Sequence, residues 1–327
     1  MELIRGLHNL RARHRGCVAT IGTFDGVHLG HQAILRRLCG HASRLGLPST
    51  VVSFEPMPRE FIDPAKAPPR LTLFRDKFGI LASHGLERFL VLRFDARLQS
   101  MTGEQFVARL LKAELGARQL VVGHDFRFGA GGSATADSLE RSGAELGFEV
   151  EVVPPVTVLG ERVSSTAVRA ALARGDLVAA QGLLGRRYHA TGRVVRGAQL
   201  GRRLGFATAN LKVHHSFPLW GIFAVCAARD GGPLQPGVAS VGTRPMVNGT
   251  EPMLEVHLFD FAGEFYGEHL RVEFVAKLRE ERTFPSLDDM IVQMHEDARQ
   301  ARAALAAASQ KPSLQPSPAR GRGERQT

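Results

Sequence analysis

A chain of 327 residues exceeds what one hydrophobic core commonly fills, so two domains are expected. With 44% hydrophobic and 23% charged residues, it has no apolar run approaching a membrane span, and Cys17, Cys39 and Cys226 lie too far apart for a disulfide framework or a cysteine metal site. The net charge of +10 invites a nucleic-acid reading, but part of it sits in the last seventeen residues, where Lys311, Arg320, Arg322 and Arg325 face only Glu324. A protein that handles phosphorylated small molecules would be similarly basic.

Met1 to Gly16 carries arginines and histidines without an apolar core, so no signal peptide is expected and the expected compartment is the cytoplasm. Cys17 to Gly22 is apolar, partly β-branched and ends on glycine, the pattern of a buried strand. Thr23-Phe24-Asp25-Gly26 is turn chemistry, and the spacing of Leu29, Ala33, Ile34 and Leu38 is helical. A strand that enters a helix through a short glycine-bearing turn makes a compact phosphate site, because the helix N-terminus offers unpaired N–H groups and partial positive charge.

His28 and His31 stand three residues apart at that entrance. Two imidazoles there can hydrogen-bond nucleotide phosphates and stabilise charge on a transferring phosphoryl group. Gly30 between them lets a phosphate approach the backbone. Two solvated histidines, or half of a zinc site, are the alternatives, but no third ligand lies at a convincing spacing. The position at a strand-to-helix turn favours nucleotide binding.

Strand-like and helix-like segments then alternate. Thr50 to Phe54 reads as a strand, followed by a loop holding Pro56, Pro58, Pro64, Pro68 and Pro69. Leu73 to His84 reads as a helix, Arg88 to Arg93 as a strand, and Phe106, Val107, Leu110 and Leu111 as the apolar face of another helix. Gln119 to Gly123 and Val150 to Val153 complete the strands. This alternation predicts a doubly wound parallel α/β sheet with its ligands beyond the C-terminal strand ends. Three loops follow those ends and are expected to meet: the histidine turn, His124 to Ser133, and Ser164 to Arg169. The last begins a helix with hydroxyls at its cap and Arg169 one turn in, which is either simple capping or a second clamp on a triphosphate. Asp176 to Leu184 reads as a short helix closing the domain.

From Arg186 the texture changes. Tyr188 to Val195, Gly221 to Ala227, Val238 to Val241, Met253 to Phe259 and Leu270 to Val275 are β-like, separated by glycine, proline and Asn-Gly turns. That pattern predicts a small antiparallel barrel. An amphipathic helix from about Ser286 to Ala308 follows, and the Pro/Ser/Arg-rich remainder is expected to be disordered. Boundaries are therefore expected at 1–185, 186–308 and 309–327. A nucleic-acid-binding barrel is the non-enzymatic alternative, but one Trp and two Tyr make a poor stacking platform.

Five motifs carry a resemblance: Gly22-Thr23-Phe24-Asp25-Gly26-Val27-His28-Leu29-Gly30-His31, Gly123 to Gly129, Val163 to Arg169, Gly201 to Asn210, and Leu254 to Phe261. In this order, over nearly its whole length, the chain resembles the bacterial bifunctional riboflavin kinase/FMN adenylyltransferases. The resemblance implies a Rossmann-like nucleotidyltransferase domain followed by a riboflavin kinase β-barrel with a C-terminal helix. It implies phosphorylation of riboflavin to FMN in the barrel and adenylyl transfer from ATP to FMN in the first domain, both with Mg2+-ATP. His28, His31, Ser165 and Arg169 would hold phosphates and stabilise charge, with Gly22, Phe24, Gly30, Asp125, Ser164 and Thr166 lining the same site. Gly205, Thr208 and Asn210 would bind Mg-ATP in the kinase, with Thr208 and Asn210 on the metal, and Glu255 would be the base for the ribityl hydroxyl. The partners implied are riboflavin, FMN, FAD and ATP, for a monomer or weak homo-oligomer that needs neither nucleic acid nor membrane.

The chain departs from the family pattern at Ala207 (usually proline), Met246 (usually threonine), Met57 (usually histidine) and in Ala130 to Thr135, where an arginine and a Gly-Asp pair are usual. These changes leave open an enzyme with one live site, the adenylyltransferase. A strand residue merely facing solvent is the alternative reading of Glu255.

Overall fold

A computed structural model of the chain describes residues 1–196, 208–213, 216–229, 231–246, 249–261, 263 and 265–310. It divides into two compact units. The first comprises Met1–Ala173, Val213–Leu219 and Arg244–Pro252, and the other described residues form the second.

The first unit is built on six strands: β1 (Glu2–Arg5), β2 (Cys17–Ile21), β3 (Ser49–Glu55), β4 (Arg88–Arg93), β5 (Ala117–Gly123) and β6 (Glu149–Val153). They pair in the order β1-β4-β3-β2-β5-β6, every pair parallel. Among the helices that accompany them are α1 (Leu29–Leu45), α2 (Phe74–Ser83), α3 (Phe106–Glu114), α4 (Ala136–Leu146) and α5 (Ser165–Ala173). Alternation along β2 feeds both faces of the sheet. Cys17, Ala19 and Ile21 join Leu110, Leu111 and Leu139 from α3 and α4, while Val18 joins Leu35, Leu38 and Leu81 from α1 and α2. Strands buried on both faces read as continuous apolar runs, and every residue of β2 is buried. The strand order reverses direction at β2, which has β3 on one side and β5 on the other. A crevice at such a switch point is where doubly wound sheets bind ligands.

The apolar spacing of Phe106, Val107, Leu110 and Leu111 does form a buried helical face, but α3 is wound with π hydrogen bonding. Of the elements labelled here, the edge strand β1 and the helix α4 carried no sequence signal used above.

In the second unit, α6 (Leu177–Leu184) packs against the last strand of a closed barrel. The barrel strands are β7 (His189–Val195), β8 (Thr208–Lys212), β9 (Gly221–Arg229), β10 (Gln235–Met246), β11 (Gly249–Leu258) and β12 (His269–Arg279), of which the end of β10 and the start of β11, within Arg244–Pro252, are grouped with the first unit. They close in the order β7-β8-β11-β10-β9-β12. The helix α7 (Leu287–Gln310) lies on β9 and β12, burying Ala301 and Leu305 against Ala224. Arg279 on β12 fixes it with a two-pronged ion pair to the buried carboxylate of Asp297, at 2.8 and 2.7 Å.

Candidate functional site

The strand β2 ends at the switch point, and the chain then turns sharply. Phe24 (φ 49°) and Val27 (φ 39°) both adopt the left-handed region that side-chain-bearing residues avoid. His28 is the N-cap of α1, and its Nδ1 accepts the backbone N–H of His31 at 3.3 Å. The two imidazoles stack with centroids 3.7 Å apart, and the Phe24 ring sits 4.9 Å from His31. Gly30 is needed beneath them, because a Cβ there would stand 3.1 Å from His28 Nδ1. Gly22 similarly clears the Phe24 ring, which a Cβ would approach to 3.2 Å.

His31 is held well below the ordinary histidine range, by burial first and then by His28 and Lys77. Its Nδ1 is buried with no hydrogen-bond partner among the described residues. A buried polar atom left in that state calls for an explanation, and a bound group is one.

The turn is tied to distant segments through Asp25, which is 2% exposed. Its carboxylate accepts the backbone N–H groups of Leu71 and Thr72 at 3.0–3.1 Å and forms an ion pair with Arg169 of α5. Arg169 also donates from Nε to the Pro69 carbonyl at 2.6 Å. Ser165 Oγ donates to the Asp25 carbonyl at 2.9 Å, and Ser164 Oγ accepts the Ala167 N–H at 3.1 Å, capping α5. Thr166 is exposed in the first turn of α5. Asp125, in the loop after β5, pairs with Arg162 just ahead of that helix.

Asp25, read above only as a turn former, therefore joins the histidine turn to the Pro69–Thr72 segment and to the Ser164–Arg169 loop, while the His124–Ser133 loop reaches Arg162, just ahead of that last loop, through Asp125. Arg169 is bound to Asp25 and Pro69 rather than standing alone as a phosphate clamp. Met57 is buried ahead of the short helix Pro58–Ile62, its N–H bonded to Glu60.

In the barrel, backbone register does the placing. Strands β8 and β11 pair antiparallel with Asn210 opposite Glu255 and Thr208 opposite His257. Asn210 is 4% exposed, and Glu255 is half-buried between the buried Leu254 and Val256. Residues directly opposite on one face bring their side chains within contact range. Glu281 is held above the usual carboxylate range by burial first and then, against the pull of Arg279, by the charge of Glu255. Glu281 was not legible in the sequence as part of this site. Gly205, Ala207 and the glycine-arginine motif from Gly201 lie outside the described residues, as does the side chain of Met246. No cluster of three or more His, Cys, Asp or Glu able to hold a metal occurs among the described residues.

A family model described as FAD synthetase matches residues 10–167, and one described as riboflavin kinase matches residues 184–305. The chain is 49% identical over 308 residues to a bifunctional riboflavin kinase/FMN adenylyltransferase of Pseudomonas fluorescens, covering 94% of this chain and 98% of that protein. It is 44% identical over 304 residues to the Escherichia coli K12 protein of the same description, covering 92% and 97%. Among solved structures, a chain described as a macrolide-efflux protein from Streptococcus pneumoniae matches with a TM-score of 0.79 at 29% identity, covering 92% of this chain and 99% of that one. No helix among the described residues here is long and apolar enough to cross a membrane. With both halves matched in order and relatives covered almost end to end, the chain belongs to the bifunctional riboflavin kinase/FMN adenylyltransferase family.

Proposed function

We propose that residues 186–308 phosphorylate riboflavin to FMN with ATP, and that residues 1–185 transfer AMP from ATP to FMN, giving FAD and pyrophosphate. The observation that carries the second half is the stacked His28–His31 pair at the N-terminus of α1, with His31 Nδ1 unpartnered. In adenylyl transfer a phosphate oxygen of FMN attacks the α-phosphorus of ATP, and the bond to pyrophosphate breaks. Negative charge grows on the leaving group and on the α-phosphoryl oxygens. The two imidazoles, the helix N-terminus and the Nη1 hydrogens of Arg169 meet that charge. Ser164, Ser165, Thr166 and Asp125 line the same site, as do Gly22, Phe24 and Gly30.

In the barrel, Glu255 accepts the proton of the ribityl 5′-hydroxyl as that oxygen attacks the γ-phosphorus and ADP leaves. The Thr208 hydroxyl and Asn210 amide oxygen, two positions apart on β8 with Asn210 opposite Glu255, are hard oxygen donors that fit Mg2+. Those two residues would hold it, with nucleotide phosphates completing its shell. When bound, the ion neutralises phosphate charge. The same reading makes the protein a cytoplasmic enzyme, a monomer or weak homo-oligomer, with neither nucleic acid nor membrane as partner.

Product analysis with riboflavin, FMN, ATP and magnesium tests both halves. His28→Ala and His31→Ala should each slow FMN-to-FAD conversion by roughly 10²-fold or more while riboflavin phosphorylation persists. Joint loss of both reactions would reject two separate sites.

A further inference from the structure

Beneath the histidine turn lies a buried cation that none of these steps uses. Lys77, in the first turn of α2, is 2% exposed. Its ammonium donates to the Thr23 carbonyl at 2.7 Å, and the buried Ser53 hydroxyl, from β3, donates to the same oxygen at 3.3 Å. That carbonyl immediately precedes Phe24, the first of the three left-handed residues of the turn, Phe24, Gly26 and Val27. Such backbone persists only where its surroundings over-determine it. Phe24 in turn bears on His31, and His31 stacks on His28. The chain of contact thus runs from Lys77 through one carbonyl to both imidazoles.

Burying an ammonium is costly, and burial does push the Lys77 amine down, against the opposing pull of Asp25 and Glu55. The volume alone could be filled by methionine, an unbranched side chain of similar length. What methionine cannot do is hold the carbonyl.

We infer that Lys77 is a positioning residue for adenylyl transfer: its ammonium clamps the Thr23 carbonyl and so holds the Phe24–Val27 turn in the form that presents His28 and His31. The inference rests on the reading of the first unit as the adenylyltransferase. The segment from Pro69 to Lys77 then acts as one brace. Its carbonyl at Pro69 holds Arg169, its N–H groups at Leu71 and Thr72 hold Asp25, the Thr72 hydroxyl accepts the Gly26 N–H at 3.1 Å, and Lys77 holds Thr23.

The test uses the full-length protein with Lys77→Met and Lys77→Arg, measuring FMN adenylylation over a range of ATP concentrations and riboflavin phosphorylation alongside. A turn displaced by a fraction of an ångström should lower kcat of Lys77→Met by about 10²-fold, with KM for ATP within about threefold of wild type. Lys77→Arg, which keeps a charged donor, should recover kcat to within about tenfold of wild type. Riboflavin phosphorylation should not move. A wild-type kcat in Lys77→Met, or an effect confined to KM, overturns the inference. If Lys77→Met does not fold, Lys77→Arg decides: near-wild-type turnover supports the clamp, and a loss as deep as that of His28→Ala overturns it. A wild-type protein that makes no FAD from FMN would instead sink the reading on which the inference rests.

Discussion

In the first unit, the turn bearing His28 and His31 is tied down by side chains from far along the chain: Lys77 and Ser53 on the Thr23 carbonyl, Arg169 on Asp25. In the barrel, Asn210 and Glu255 are set opposite each other by the backbone ladder of two strands. The difference teaches where each site is vulnerable. A strained turn held by a few buried polar groups can be disturbed by substitutions that never touch a ligand. A pair held by register is disturbed by changing the pair itself, because a one-residue slip would move every apolar residue of the strand to the wrong face.

The largest effect should come from the register-held pair. Glu255→Ala should reduce FMN formation by roughly 10²–10⁴-fold, the range for removing a general base, and FAD formation from added FMN should continue. Asn210→Ala should act in the same direction. Melting temperature should change little at Glu255, since the ladder does not depend on its side chain. An active Glu255→Ala kinase would discard the base assignment.

An intermediate effect concerns the barrel wall. His189 on β7 is held neutral down to about 3, by burial first and then by Arg271 and Arg186. Its folded value lies below the unfolded one near 6.5, so the unfolded chain takes up the proton first as pH falls. The stability it contributes is therefore complete above pH 6.5 and is lost progressively toward pH 3. Between pH 6.5 and 4 the barrel should lose on the order of a few kcal/mol, read as heat-resistant riboflavin phosphorylation activity. His189→Gln should flatten that slope, and an unchanged slope would locate the acid sensitivity elsewhere.

The smallest effect is at Ala207. Proline there should tighten Mg-ATP binding to the kinase by about 0.4–1 kcal/mol if it acts by restricting the loop before binding. Calorimetric titration of the variant measures this directly. A weaker affinity would mean that the loop needs a backbone angle proline cannot supply.

Much of the fold was legible because it is periodic. Arg88 to Arg93 forms a strand over the residues read for it, and β2, α1 and the barrel's β9 and β11 follow the apolar pattern closely. The misses have physical reasons. β1 is a four-residue edge strand with Glu2 and Arg5 exposed, too short and too polar to show alternation. β8 contains Asn210 and Lys212, poor strand formers whose conformation is supplied by their neighbours β7 and β11. The site divides similarly. His28 and His31 announce themselves by position, whereas a lysine in an amphipathic helix reads as solvent-facing, and an aspartate beside glycine reads as a turn. Lys77 and Asp25 acquire their roles only through partners dozens of residues away, Lys77 through Thr23 and Asp25 through Leu71 and Thr72.

The cap on α1 also settles a matter of tautomers. Because His28 Nδ1 accepts the His31 N–H, a neutral ring must carry its hydrogen on Nε2. The helix thereby decides which nitrogen donates. Under the proposed function, a neutral His28 would therefore turn its Nε2 hydrogen, and not a lone pair, toward a phosphate.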